Sequence, residues 1–211
     1  MKAEQNQNKE LRKDLEESNN RLKKMEIGIG ELKEKGKSIE ELNEAEIIKL
    51  NQANAELNDA LSEEITNGEI AIAKVKNKII IQVAEKLFFK SGSDKLITNG
   101  QASLMKIGKA LKKMPEKMIC VEGHTDNVPI GRNLRSKHRS NWELSAARAI
   151  NVLTYLKNEA DIDAHRMNAA AFGQYNPIGL NTTEEGKAKN RRIEILVMDT
   201  ELERLKNEKQ P

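Results

Sequence analysis

Two hydrophobic periods divide the chain. From residue 4 to about residue 75, Leu11, Leu15, Leu22, Met25, Ile29, Leu32, Ile39, Leu50, Ala53, Leu57 and Ala60 recur at alternating three- and four-residue steps with charged residues between them. A narrow apolar seam of this kind is what a helix presents to a partner helix, so a long helix and coiled coil are expected over residues 1–75. A lone charged helix is the alternative. Gly36, Asn43 and Glu46 occupy seam positions, and Gly28 and Gly30 each cost a helix about 1 kcal/mol relative to alanine. A kink or frayed stretch is therefore expected near residues 28–46. Fully helical, the segment would extend on the order of 100 Å at about 1.5 Å per residue, which suits a spacer or an oligomerisation arm.

The period changes near Lys78. Ile79, Ile80, Ile81 and Val83 form a β-branched run that continues through Leu87, Phe88 and Phe89 to the turn-forming Ser91-Gly92-Ser93-Asp94, and it reads as a strand. Thr98 to Lys113 carries Ala102, Met105, Ile107, Ala110 and Leu111 at helical spacing, with Pro115 as a stop signal just beyond. Met118 to Glu122 is a second strand. Asn141 to Asn158 is a second long helix, with Leu144, Ala147, Ile150, Leu153 and Leu156 on or near one face. Ala169 to Phe172 and Arg192 to Val197 complete the strands, with a helix or turn over Thr183 to Asn190 before the last. This order predicts an α/β (α+β) sandwich of βαβαβ type, a mixed sheet with helices on one face, over residues 76–200. A charged helical tail is expected over residues 201–211.

Composition narrows the function. Charged residues make up 33 % of the 211 and aromatics only 3 %, so the core must concentrate after the first third. The formal net charge of +3 comes from 36 basic and 33 acidic residues that are closely interspersed, which argues against nucleic acid as a partner. Cys120 is the only cysteine; it forms no intramolecular disulfide and reads as a small apolar core residue. No apolar run approaches the ~18 residues of a membrane span, and the amino terminus lacks a signal-peptide core. On that count the chain is either cytosolic or a processed or trimmed piece of an exported one.

Three polar segments stand out against this background. In Glu122-Gly123-His124-Thr125-Asp126-Asn127 a buried strand runs into a loop that offers a carboxylate. In Ser140-Asn141-Trp142-Glu143-Leu144-Ser145-Ala146-Ala147-Arg148-Ala149, small residues let a helix lie close to the sheet and aim Arg148 at the strand ends. Thr182 to Arg192 brings the adjacent Arg191 and Arg192 to the start of the last strand, where alternation sends one to each side and makes one of them structural. On the residues alone, Asp126 can cap its loop or bind a ligand, and Arg148 can bind a ligand or pair with Glu122. Trp142 reads as a packing residue before a sugar platform. His124, Asp126 and His138 lack the spacing of a metal site, and no cofactor is expected. Nothing supplies an activated nucleophile or a catalytic metal, so the chain is not expected to be an enzyme. The loop bearing Arg132, Arg135, Lys137, His138 and Arg139 is locally cationic and reads as solvated.

Together the segments resemble the OmpA-like peptidoglycan-binding domain of the OmpA/MotB family. The resemblance rests on Gly123-His124-Thr125-Asp126, then Leu144-Ser145 with Arg148-Ala149, then Phe172-Gly173 with Asn176-Pro177, then Asn190-Arg191-Arg192. Four ordered motifs across about 70 residues are far more specific than any one alone. Val128-Pro129-Ile130 and the long loop before Ser140-Asn141-Trp142-Glu143 are most similar to the flagellar-stator (MotB) branch. The resemblance implies non-catalytic binding of peptidoglycan through the diaminopimelate of its stem peptide. Asp126 would meet the ligand's ammonium and Arg148 its carboxylate, with Thr125, Asn141 and Arg191 as further contacts. It also implies a periplasmic or cell-envelope location, a membrane attachment carried by a segment absent from this chain, and, with the coil, a homodimer. A stator subunit lacking its channel helix is the alternative.

Overall fold

Hydrophobic alternation sets the sheet. The computed structural model describes residues 23–199, apart from 26, 35, 38–43, 46, 77 and 132–134. The chain falls into two compact units, Met1–Ile48 and Lys49–Pro211. In the first, the described residues are helical, and Met25, Ile29 and Leu32 of the expected seam are exposed. Leu11, Leu15, Leu22 and Ile39, like the tail over 201–211, lie outside the described residues.

The second unit begins with helix α1 (residues 49–60) and the short α2 (Ser62–Thr66). Then come β1 (Ile70–Val75), β2 (Lys78–Ala84), α3 (Glu85–Phe88), α4 (Thr98–Lys112), β3 (Met118–His124), α5 (Asn141–Asn158), β4 (Met167–Gly173), α6 (Glu184–Asn190) and β5 (Arg192–Met198). The five strands lie in the order β1-β2-β5-β3-β4. The β3–β4 pair is parallel and the others antiparallel, which gives the mixed sheet that the sequence pattern predicts.

Along β2, Ile79, Ile81 and Val83 are fully buried while Lys78, Ile80, Gln82 and Ala84 keep partial exposure. Val121 on β3 and Ile195 and Val197 on β5 join the buried set, against Leu104, Ile107 and Leu111 of α4 and Ala149, Val152 and Leu156 of α5. Fully burying each large aliphatic side chain contributes about 1.5–3 kcal/mol. The opposite sheet face, with Gln82, Glu122 and Glu194, is partly open to water. On α5 the buried positions are Leu144, Ser145, Arg148, Ala149, Val152 and Leu156. Ile150, expected on the inner face, is instead exposed, because the stripe turns toward Arg148.

Three expectations need correction. Seam residues Leu50, Ala53 and Leu57 do not await a second helix; with Leu61 they are buried in the core of their own unit. The helix does not continue to residue 75. It ends at Asn67-Gly68, where Gly68 takes φ +67°, and the chain turns into β1. The first predicted strand also stops earlier than Phe89: at Glu85 the chain makes one helical turn, which buries Leu87 and Phe88.

Candidate functional site

The site forms where the ends of β3 and β4 meet the first turns of α5. Gly123 makes the approach possible, since a Cβ there would collide with the Ser145 carbonyl of α5. Ser145 Oγ in turn accepts from the Gly173 amide at 3.1 Å and ties α5 to the end of β4. Ser140 caps α5 by accepting from the Glu143 amide at 3.3 Å, and Glu143 reaches back to the Arg139 amide at 2.6 Å. This reciprocal arrangement resembles a capping box and fixes where the helix starts.

Beyond β3, the Thr125 amide donates to the Gly173 carbonyl at 2.8 Å, and the Thr125 hydroxyl donates to the Asp126 carbonyl at 2.9 Å. Asp126 is buried and takes the capping role considered for it, together with an ion pair. Its Oδ1 caps the loop by accepting from the Val128 amide at 3.0 Å, and its Oδ2 accepts from Arg191 Nη1 at 2.5 Å. Asn141 binds the same loop through Nδ2, which donates to the Val128 carbonyl and to Gln174 Oε1, both at 3.0 Å.

Arg148 does not touch Asp126 directly, nor does it pair with Glu122. Its Nη2 pairs with Glu85 Oε1, its Nε donates to the Ser93 carbonyl at 2.9 Å, and its guanidinium lies 5.2 Å from the Phe89 ring centroid. Glu85 continues the chain of charge, its Oε2 lying 3.3 Å from Arg191 Nε. The network thus runs Arg148, Glu85, Arg191, Asp126. Burial pushes the Arg148 guanidinium below its ordinary value, and Glu85, Asp94 and Asp126 push back. Arg148 is 3 % exposed whereas the Arg191 side chain is 35 % exposed, so Arg191 is the guanidinium within easier reach of a ligand. The two arginines and two carboxylates balance. A ligand carrying both charges can exchange into such a network without stranding a buried ion, while a simple anion or cation cannot.

The adjacent arginines divide as strand alternation requires. Arg192 is the structural one, buried with Nε donating to Glu194 Oε1 at 2.6 Å and Nη1 to the Asn176 carbonyl at 3.3 Å. His138 lies 3.2 Å from Asp94 Oδ2, and Asp126 is engaged by Arg191, so the histidines and Asp126 are not brought together as one ligand set. Trp142 is 46 % exposed and packs by stacking on Tyr175 at 5.3 Å between centroids. The pair borders a cleft of about 340 Å³ lined also by Asn127, Ile130, Arg139 and Asn141. Cys120 is only half-buried; burial and the neighbouring Glu122 push its thiol up to about 11. Sequence reasoning missed Glu85. Its one signal was a carboxylate placed within the apolar run from Ile79 to Phe89.

Comparison with known proteins places this geometry. The OmpA family model matches residues 88–191. Motility protein B of Bacillus subtilis is 35 % identical over 120 residues, which are 57 % of this chain and 45 % of that protein. The probable lipoprotein YiaD of Escherichia coli is 32 % identical over 126 residues, 60 % of this chain and 54 % of that protein. The chain spans about half the length of these curated relatives. Among solved structures, a putative MotB-like protein from Desulfovibrio vulgaris aligns with a TM-score of 0.66 at 27 % identity, covering 75 % of this chain and 96 % of that one. The cell wall anchor of the type VI secretion system from Pseudomonas aeruginosa aligns at 0.61 and 32 % identity, covering 68 % of this chain and 97 % of that one.

Proposed function

The chain belongs to the OmpA family, and from that premise we propose that it binds peptidoglycan without catalysis and anchors a membrane-attached protein to the cell wall. The observation that carries the reading is the charge-balanced network of Arg148, Glu85, Arg191 and Asp126 at the loop end of the sheet. The diaminopimelate of a stem peptide offers an ammonium and a carboxylate on one carbon. Asp126 takes the ammonium, releasing Arg191, and the guanidinium groups of Arg191 and Arg148 take the carboxylate, where planar donors permit two parallel bonds. Thr125 and Asn141 hold the loop and offer contacts to the peptide backbone. Each shielded charge-assisted contact contributes roughly 1.5–3 kcal/mol. One site binds weakly, and many sites along a sacculus supply avidity.

In this reading the protein works in the periplasm or cell envelope, attached to a membrane by a segment outside this chain. No helix among the described residues is long and apolar enough to cross a membrane. The amino-terminal helical unit serves as a spacer and pairs two chains as a homodimeric coil. The similarity to Motility protein B favours a narrower form of the same reading, a flagellar-stator subunit held to the wall by this domain. A chimera in which residues 49–211 replace the wall domain of that relative tests it: restored swimming supports the stator role, and wall retention without swimming leaves a general tether.

The primary test is co-sedimentation of the protein with diaminopimelate-type sacculi at low and high salt. Retention that weakens with salt, and is lost in folded Asp126→Asn and Arg191→Ala variants, supports the site. Retention unchanged in both overturns it, and release of soluble muropeptides would overturn the non-catalytic reading.

A further inference from the structure

The partly open face of the sheet carries a second polar cluster that the wall-binding site does not use. Glu122 on β3 and Glu194 on β5 are direct register partners, and His124 follows Glu122 by two residues on the same face. One donor atom from each of the three lies within 4.8 Å of the others, the one such grouping of His, Cys, Asp and Glu among the described residues. Like charges placed directly opposite on neighbouring strands repel. The arginine beside them, Arg192, gives its Nε to Glu194 Oε1, where Gln82 Nε2 also donates at 3.0 Å. Arg192 is thus committed to Glu194, while Glu122 Oε1 is met by the Cys120 thiol at 3.9 Å.

His124 supplies the independent observation. It is 1 % exposed, and neither ring nitrogen has a hydrogen-bond partner. Its Nε2 lies 3.7 Å from Glu122 Oε2, too far for a hydrogen bond. The ring is held flat against Phe172, at 5.0 Å between centroids and 3° between planes. A buried imidazole with both nitrogens unsatisfied, fixed beside two facing carboxylates, lacks a partner that accepts electron pairs from all three.

We propose that Glu122, His124 and Glu194 form a binding site for a divalent transition-metal ion, with Zn²⁺ as the matching probe. One imidazole with two carboxylates is a borderline donor set that suits zinc, whereas magnesium and calcium take oxygen ligands. Zinc bonds of about 2.0–2.2 Å place ligand atoms roughly 3.4 Å apart in a tetrahedron, within reach of the two glutamates by rotamer adjustment. Three protein ligands leave a fourth position for water on the solvent side. The positive charge of Arg192 opposes the ion, so the affinity is expected to be lower than that of a closed structural site.

Calorimetric titration of the chelator-treated full chain with ZnCl₂ tests the assignment, with the His124 ring protons followed by NMR. The expected result is one Zn²⁺ per chain, a shift of the His124 resonances, and no response to MgCl₂. Glu122→Gln and Glu194→Gln keep the side-chain size and, at Glu194, the acceptor for Arg192 and Gln82; each lowers the affinity more than about tenfold. Thermal melts establish that both variants are folded. Absence of a stoichiometric site, unchanged affinity in both glutamine variants, or loss of binding in His138→Gln instead would overturn the proposal. So would a His124 ring that titrates as an imidazolium and ignores zinc.

Discussion

Two polar clusters lie on either side of one peptide bond, that between Arg191 and Arg192, and they solve the burial of charge differently. Arg191 joins a closed ledger of two arginines and two carboxylates at the end of the sheet. Arg192 stands on the sheet face with Glu194 at 2.6 Å, while Glu122 and a hydrogen-bond-free His124 complete the group. The first cluster is satisfied by its own ion pairs. In the second, the arginine is committed to one of two facing carboxylates. Alternation along a strand therefore does more than separate inside from outside: here it assigns adjacent, chemically identical side chains to two different polar clusters.

The comparison is broken most severely at Arg148. Arg148→Ala leaves the partly buried Glu85, its side chain 12 % exposed, with half of its ionic partners, and a loss of about 3 kcal/mol in urea unfolding is expected. A loss no larger than that of a surface charge would show that the network is not closed. Asp126→Asn keeps the acceptor for the Val128 amide and removes only the ionic bond to the partly exposed Arg191. It is expected to cost about 1–2 kcal/mol, because water replaces part of what is lost. On the sheet face the sign reverses. Glu122→Gln removes one of two facing charges and is expected to stabilise the metal-free protein by about 0.2–1 kcal/mol, measured as a rise in the melting midpoint.

Glu64, outside both clusters, sharpens the comparison as an ordinary paired carboxylate. Burial raises its pKa, but hydrogen bonds from Lys106 and Ser103 more than offset this and hold it below its ordinary value of 4.5. Its contribution is therefore complete above the unfolded value and is lost as pH falls through the lower folded value. Glu64→Gln is expected to flatten the acid side of the stability profile below that region, with a loss of about 1 kcal/mol at neutral pH.

Much of this was legible in the sequence, for reasons that differ by element. Asp126, Asn141, Arg148 and Arg191 were singled out by the resemblance of their motifs to a known family, and the structure places them around the ends of β3 and β4; the division of Arg191 from Arg192 follows from the strand period alone. Glu85 was not readable, since its partners come from α5 and β5 and its own neighbours describe an apolar strand. β1 escaped because Ile70-Ala71-Ile72-Ala73 suits a helix as well as a strand. The seam through Leu50, Ala53 and Leu57 reports that one helix face is buried but cannot say by what; the domain's own core covers it.

That covering has a mechanical meaning. A pull applied between residue 49 and Asp126 meets α1 before it meets any strand. Leu50, Leu57 and Leu61 hold the helix to the core, assisted by Lys113 and Glu56 at 2.6 Å. Under rising tension the helix peels first and lengthens the tether, from about 1.5 Å per helical residue toward roughly 3.3–3.6 Å per extended one. Elements in series carry the same tension, so a helix that yields in this way limits the force reaching the sheet until its slack is spent, as a shock absorber does.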